Sequence, residues 1–156
     1  MKLKAHMTKT ICARLALTLC FFGFNSCTRP RPVELKSLCQ NENDNIYVSV
    51  EGYLRTGASV LCSSPDGSRA CGLELSDKPD GTTGISVYVE EGTGKSQMEP
   101  LPKSYSRESL KIHTADGNVL GTQDRVRVFG IAKSGTDVAS SSLTLCYINV
   151  DKIEKP

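Results

Sequence analysis

Val48-Ser49-Val50-Glu51-Gly52-Tyr53-Leu54 and, far along the chain, Val126-Arg127-Val128-Phe129-Gly130-Ile131 share the pattern Val-x-Val-x-Gly. In the first stretch Ile46, Val48, Val50 and Leu54 fall on one side of a period of two, and Tyr47, Ser49, Glu51 and Tyr53 fall on the other. That alternation is the mark of a half-buried strand. Glycine weakens a strand unless the backbone must bend or bulge there. Two such strands, one early and one late, suit a small closed barrel whose corners turn at the glycines.

The same period continues on either side. Residues 70–75 set Cys71, Leu73 and Leu75 on one face. Ile85, Val87 and Val89 form a further strand, opened by Gly81-Thr82-Thr83-Gly84 and closed by Glu91-Gly92. Leu110 and Ile112 make a short strand before the Asp116-Gly117 turn, and residues 125–132 and 143–150 complete the set. Pro100 and Pro102 rule out a long helix over residues 97–109 and leave room for one or two turns after Pro102. Turn signals at intervals of roughly 8–12 residues predict an all-β barrel or sandwich.

Over residues 43–153 the chain resembles the OB-fold, particularly its bacterial-envelope and tRNA-anticodon-like versions. The residues that carry the resemblance are Val48-x-Val50-x-Gly52, the turn Asp116-Gly117, Asp124-Arg125-Val126-Arg127-Val128-Phe129-Gly130, and Cys146-x-Ile148-x-Val150 with Ile153. It implies a five- to six-stranded barrel that binds oligonucleotides or oligosaccharides on one face by aromatic stacking. The alternative, an immunoglobulin-like sandwich, normally has a core tryptophan, and this chain has none.

The amino-terminal end carries an address. Lys2, Lys4, Lys9 and Arg14 precede the ten-residue apolar run 15–24, and Asn25-Ser26-Cys27 follows. Spanning a bilayer takes roughly 20 apolar residues, so this run fits the core of a secretory signal instead. With small Ser26 before Cys27 it resembles the signal of bacterial lipoproteins, in which that cysteine becomes the acylated first residue. Phe24 departs from the aliphatic residue usual at its position. Cys20 follows bulky Leu19 and is the poorer candidate. Met7 is a second possible start, and cleavage near Ser26 without lipid is the alternative outcome. The predicted organisation is therefore a signal peptide over 1–26, a lipidated end and tether over 27–38, and a barrel domain over 39–156.

Removal of residues 1–26 changes the charge. Four basic residues leave, so Lys+Arg falls from 19 to 15 against 17 Asp+Glu, and the net charge goes from +2 to about −2. A nucleic-acid partner normally calls for a basic face, so nucleic acid is disfavoured. Cys39, Cys62, Cys71 and Cys146 then remain besides Cys27, an even set for an oxidising compartment. Four cysteines allow three pairings. Cys62 and Cys71 flank a turn at Pro65-Asp66-Gly67, which brings them close across a hairpin and predicts Cys62–Cys71 with Cys39–Cys146. Absent Cys-x-x-Cys spacing, a zinc site is the weaker reading, and neither metal nor cofactor is expected.

No constellation announces catalysis. Gly92-Thr93-Gly94-Lys95-Ser96 looks like the end of a phosphate-binding loop, but the glycine that pattern needs falls on Val89, beside the repelling Glu90 and Glu91. His113 has Asp116 three residues on, a possible acid–base pair, yet no serine sits in a Gly-x-Ser-x-Gly elbow. Ser140-Ser141-Ser142 reads as a loop between the last two strands. Tyr47, Tyr53 and Tyr88, opposite the aliphatic faces of their strands, together with Arg55, Arg125 and Arg127, are the candidate ligand-binding surface. The function expected is a lipid-anchored, non-enzymatic binding or accessory protein of the cell envelope, facing the periplasm from the outer membrane. Its partner would be an envelope protein, peptide or glycan. A periplasmic hydrolase or nuclease on a barrel, and a structural subunit of an envelope complex, are the alternatives.

Overall fold

The computed structural model describes residues 29–64, 67–81, 83–136 and 144–156. The segment read as an export signal with Cys27, the Pro65-Asp66 of the expected turn, and Ser140-Ser141-Ser142 lie outside the described residues.

In chain order the strands are β1 (Arg31–Pro32), β2 (Tyr47–Arg55), β3 (Cys62–Ser63), β4 (Ala70–Ser76), β5 (Ile85–Glu90), β6 (Gln97–Met98), β7 (Ile112–His113), β8 (Val119–Leu120), β9 (Arg125–Thr136) and β10 (Thr144–Glu154). Single 3₁₀ turns occur at Leu35–Ser37, Asn41–Asn43 and Arg107–Ser109; the last is the short turn left possible after Pro102.

Five of these strands close on themselves. β2 pairs with β9, β9 with β10, β5 with β4, and β4 returns to β2, all antiparallel, while β10 lies parallel to β5. The result is an all-β, OB-like barrel with extra strands: β1 beside β2, β3 beside β4, and a small sheet in the order β6-β7-β8.

Closure depends on the two glycines. β2 runs against β9 from Tyr47 to Tyr53 and against β4 from Tyr53 to Arg55, so it changes partner next to Gly52. A Cβ on Gly52 would stand 2.6 Å from the Ser76 carbonyl oxygen. Gly130 faces Val150, where the β9–β10 register shifts before Lys152, and a Cβ there would lie 2.0 Å from the Asn149 carbonyl oxygen. Both positions admit a backbone where a side chain would have to be.

The apolar face predicted by alternation is the core. Val48, Val50 and Leu54 of β2 are buried against Leu73 and Leu75 of β4, Val87 and Val89 of β5, Val126 and Val128 of β9, and Ile148 and Ile153 of β10. Burying each such side chain is worth about 1.5–3 kcal/mol, before the opposing chain entropy. The β6–β8 sheet adds Met98, Ile112 and Leu120, with Leu110 just before β7.

Two disulfides staple this barrel, Cys39–Cys146 and Cys62–Cys71. Cys62 and Cys71 stand directly opposite in the β3–β4 register. Cys39–Cys146 closes a separation of 107 residues and ties the entry of the barrel to its last strand.

Residues 31–38, read from sequence as tether, run along the barrel. The Val33 amide donates to the Ser49 carbonyl at 3.0 Å, Val33 and Leu35 pack on the core, and Leu38 is fully buried. The reason is topological. β4 takes only the last three residues of β2, which leaves the first half of that strand with a free edge, and β1 fills it.

Candidate functional site

The outer face of β2 and β9 carries the side chains that alternation turned away from the core. Cross-strand register sets Tyr47 against Ile131, Ser49 against Phe129, Glu51 against Arg127, and Tyr53 against Arg125. The segment 30–36 borders this face, and between them lies an open groove of about 790 Å³. Its lining includes Lys36, Glu51, Asp77, Arg125, Arg127 and Phe129.

One carboxylate organises the two arginines. Arg127 donates from Nε and Nη2 to Glu51 Oε1 at 3.0 and 2.6 Å, while Arg125 Nη2 lies 3.1 Å from Oε2. These groups are half-buried to exposed, so the pairs contribute at most about 1 kcal/mol each. Their effect is geometric: two guanidiniums converge on one wall, with a single negative charge between them. Phe129 is largely covered, with Lys152 Nζ 4.1 Å from its ring centroid. On the opposite rim Lys36 pairs with Glu34 at 2.8 Å, and that bond raises the lysine pKa and lowers the carboxyl one. Among the described residues Asp77 makes no ion pair.

The residues singled out from sequence part company here. Arg125 and Arg127 line the groove, and register sets Tyr53 beside Arg125. Tyr47 lies further along the same face, its hydroxyl donating to Asp151 Oδ2 at 2.8 Å. Burial first, and the Asp151 carboxylate second, push the Tyr47 phenol up to about 12. Tyr88 belongs elsewhere: it is on β5, across the barrel, where its ring meets Tyr147 edge-on at 5.3 Å.

Arg55 corrects the expectation of an exposed cation. It is 3% exposed, and its Nη2 donates to Glu74 Oε2 at 2.6 Å. Alternation fails at the end of β2, where Leu54 and Arg55 are both buried, because the strand there leaves β9 for β4 and meets Glu74 directly opposite. The proposed His113–Asp116 pair is also replaced. His113 Nε2 lies 3.0 Å from Glu99 Oε1, whereas Asp116 accepts from Asn118 Nδ2 at 2.7 Å. Asp116 is held below the usual carboxylate range, first by its hydrogen bond with Thr114.

Gly92-Thr93-Gly94-Lys95-Ser96 is a turn leading into β6 and not the strand–loop–helix that cradles phosphate. Gln97 Oε1 already accepts the Gly94 amide at 2.8 Å, and Ser96 Oγ accepts the Ile153 amide at 3.0 Å. Cys62, Cys71 and Glu91 offer ligand atoms within 4.8 Å of one another, but the two sulfurs are bonded to each other and present no thiolate.

Glu51, Asp77 and the 30–36 segment were not among the residues singled out. Glu51 was legible in part, since alternation set it on the outer face with Tyr47 and Tyr53. No protein-family model matches the chain, and no curated protein matches it.

Proposed function

We propose that this is a lipid-anchored binding or accessory protein of the cell envelope, acylated at Cys27, whose ligand occupies the groove between residues 30–36 and the β2–β9 face. The observation that carries the reading is the pair of arginines held on Glu51 along one wall of a groove of about 790 Å³. Side chains already brought together on neighbouring strands lower the ordering cost of binding. Two guanidiniums on one groove wall suit recognition of an anionic group on a ligand, which supports binding as the role. The export segment and the even cysteine set support an extracytoplasmic site of action.

The test uses the full chain expressed and processed in a bacterial host. The mature amino-terminal mass is expected to show diacylglycerol on Cys27. Binding of the mature protein to envelope fragments, membranes and cell-wall sacculi assayed separately, is expected to fall at least tenfold with Arg125→Ala and Asp77→Ala combined. Both side chains sit in exposed positions, so folding is preserved. Unchanged binding to every fraction would remove the groove from the function.

A further inference from the structure

We infer that the barrel rests directly on the bilayer, groove side down, and that the groove seats the zwitterionic headgroup of a phospholipid from the leaflet that holds the anchor. This deepens the reading above and rests on acylation of Cys27.

The first argument is length. Read as a tether, residues 28–38 would let the domain float well clear of the surface. β1 begins at Arg31 and is bonded to β2, and Pro30 already lines the groove. Three peptide steps separate Cys27 from Pro30, a reach of about 10 Å fully extended. A diacylated cysteine lies at the headgroup level, so the rim of the groove is held against the headgroups. The opposite side of the barrel, β5 and β10 with Tyr88 and Tyr147, then faces away from the membrane.

The second argument is charge. The lining holds Lys36, Arg125 and Arg127 against Glu34, Glu51 and Asp77, a balanced set with no net pull on an anionic surface. Its charges are nevertheless separated. Two arginines share the single carboxylate of Glu51, which leaves one positive charge uncompensated on that wall. Asp77 supplies a negative charge without an ion-pair partner among the described residues. A phosphoethanolamine headgroup complements that separation, with its phosphate toward Arg125 and Arg127 and its ammonium toward Asp77. Phosphoglycerol offers only the anionic half.

The experiment places a photo-reactive benzoylphenylalanine at position 36 of the full chain, where the lysine side chain is 83% exposed on the groove rim. A second chain carries it at position 88 as the far-side control. Both are expressed in a bacterium whose membranes contain phosphatidylethanolamine and phosphatidylglycerol, irradiated, and analysed by mass spectrometry. The expected result is phosphatidylethanolamine adducts at position 36 at least fivefold above position 88, falling at least threefold when Asp77→Asn is added. Equal lipid adducts at positions 36 and 88 would overturn the orientation. Equal ethanolamine and glycerol lipid adducts at position 36 would overturn the headgroup assignment, and protein adducts alone would give the groove to a protein partner. An amino terminus without acyl mass would instead overturn the anchored reading and this inference with it, an outcome the same spectra separate from the others.

Discussion

Replacing Gly130 with alanine tests the physical basis of barrel closure. The new methyl would lie 2.0 Å from the Asn149 carbonyl oxygen and 2.8 Å from Ile148 Cγ2. An ordinary carbon–oxygen contact is roughly 3.3 Å or more, so more than about 1 Å must open between the long strands β9 and β10. The obstacle is backbone and has no rotamer by which to yield. Overpacking of this kind costs about 1–3 kcal/mol, and strained ladder bonds on either side add about 1 kcal/mol each. A total of ~3–5 kcal/mol is a large share of the ~5–15 kcal/mol that holds a domain. With a urea dependence of about 2 kcal/mol per molar, the unfolding midpoint of the oxidised protein is expected to fall by ~1.5–2.5 M. Gly52→Ala meets the Ser76 carbonyl at 2.6 Å, and its second neighbour, Leu75 Cδ1 at 2.9 Å, is a side chain that can move, so about 2 kcal/mol is expected. Gly135, on the same strand β9, has nothing within 4 Å of a built Cβ. Gly135→Ala should therefore be neutral or gain about 0.5 kcal/mol from the less flexible unfolded chain. A Gly130→Ala midpoint within ~0.3 M of the parent, or equal losses at 130 and 135, would refute the claim that these glycines exist for close backbone approach.

Glu74→Gln leaves the Arg55 guanidinium buried with a neutral partner and should cost ~2–3 kcal/mol by urea unfolding, somewhat below the range for fully buried pairs because Glu74 is 37% exposed. Arg55→Met removes charge and partner demand together and is expected to be near neutral; the reverse order of effects would contradict the account of that pair. In ultraviolet absorbance titration one tyrosine should ionise near pH 12, and the feature should vanish in Tyr47→Phe. Because the folded phenol keeps its proton where the unfolded one (pKa about 10) has lost it, this group's contribution to stability is intact below pH ~10 and declines as pH rises toward 12. Asp151→Asn should lower the value without restoring it to 10, since burial and Glu154 still favour the protonated phenol. Removing Cys39–Cys146 by paired serine substitution should cost about 4–5 kcal/mol on the chain-entropy model, against about 2–3 kcal/mol for the nine-residue separation of Cys62–Cys71; equal losses would show that loop length does not govern the difference.

What the sequence disclosed was local. Alternation through residues 46–54 located the core face of β2, because side-chain direction in a strand follows from its own period. Cys62 and Cys71 could be paired because the turn signal Pro65-Asp66-Gly67 lies between them. Non-local arrangements were hidden. The parallel pairing of β5 with β10 joins residues about 60 apart, as in Ser86 with Tyr147, and no local pattern encodes it. Arg55 looked exposed because its partner, Glu74, becomes adjacent only after β4 closes on β2. Val33, Leu35 and Leu38 were hidden among prolines and charges; what buries them is a free edge elsewhere on β2. At the site, the outer-face arginines were legible from alternation, while Asp77 lies in a loop and the 30–36 wall comes from a two-residue strand and a 3₁₀ turn too short to show a period.

The parallel contact between β5 and β10 has a consequence for how the chain can acquire its structure. β10 is the last barrel strand to be made, yet it occupies an interior place in the ring, between β9 and β5. A chain that emerges amino terminus first can form the β4–β5 hairpin early, but it cannot complete the ring until residues 144–154 are available. Long-range pairings of this kind fold slowly, so the ring stays open until its last strand has been made. The Cys39–Cys146 crosslink joins that same last strand to the entry of the barrel, so the order of strands along the chain bears on when both can form.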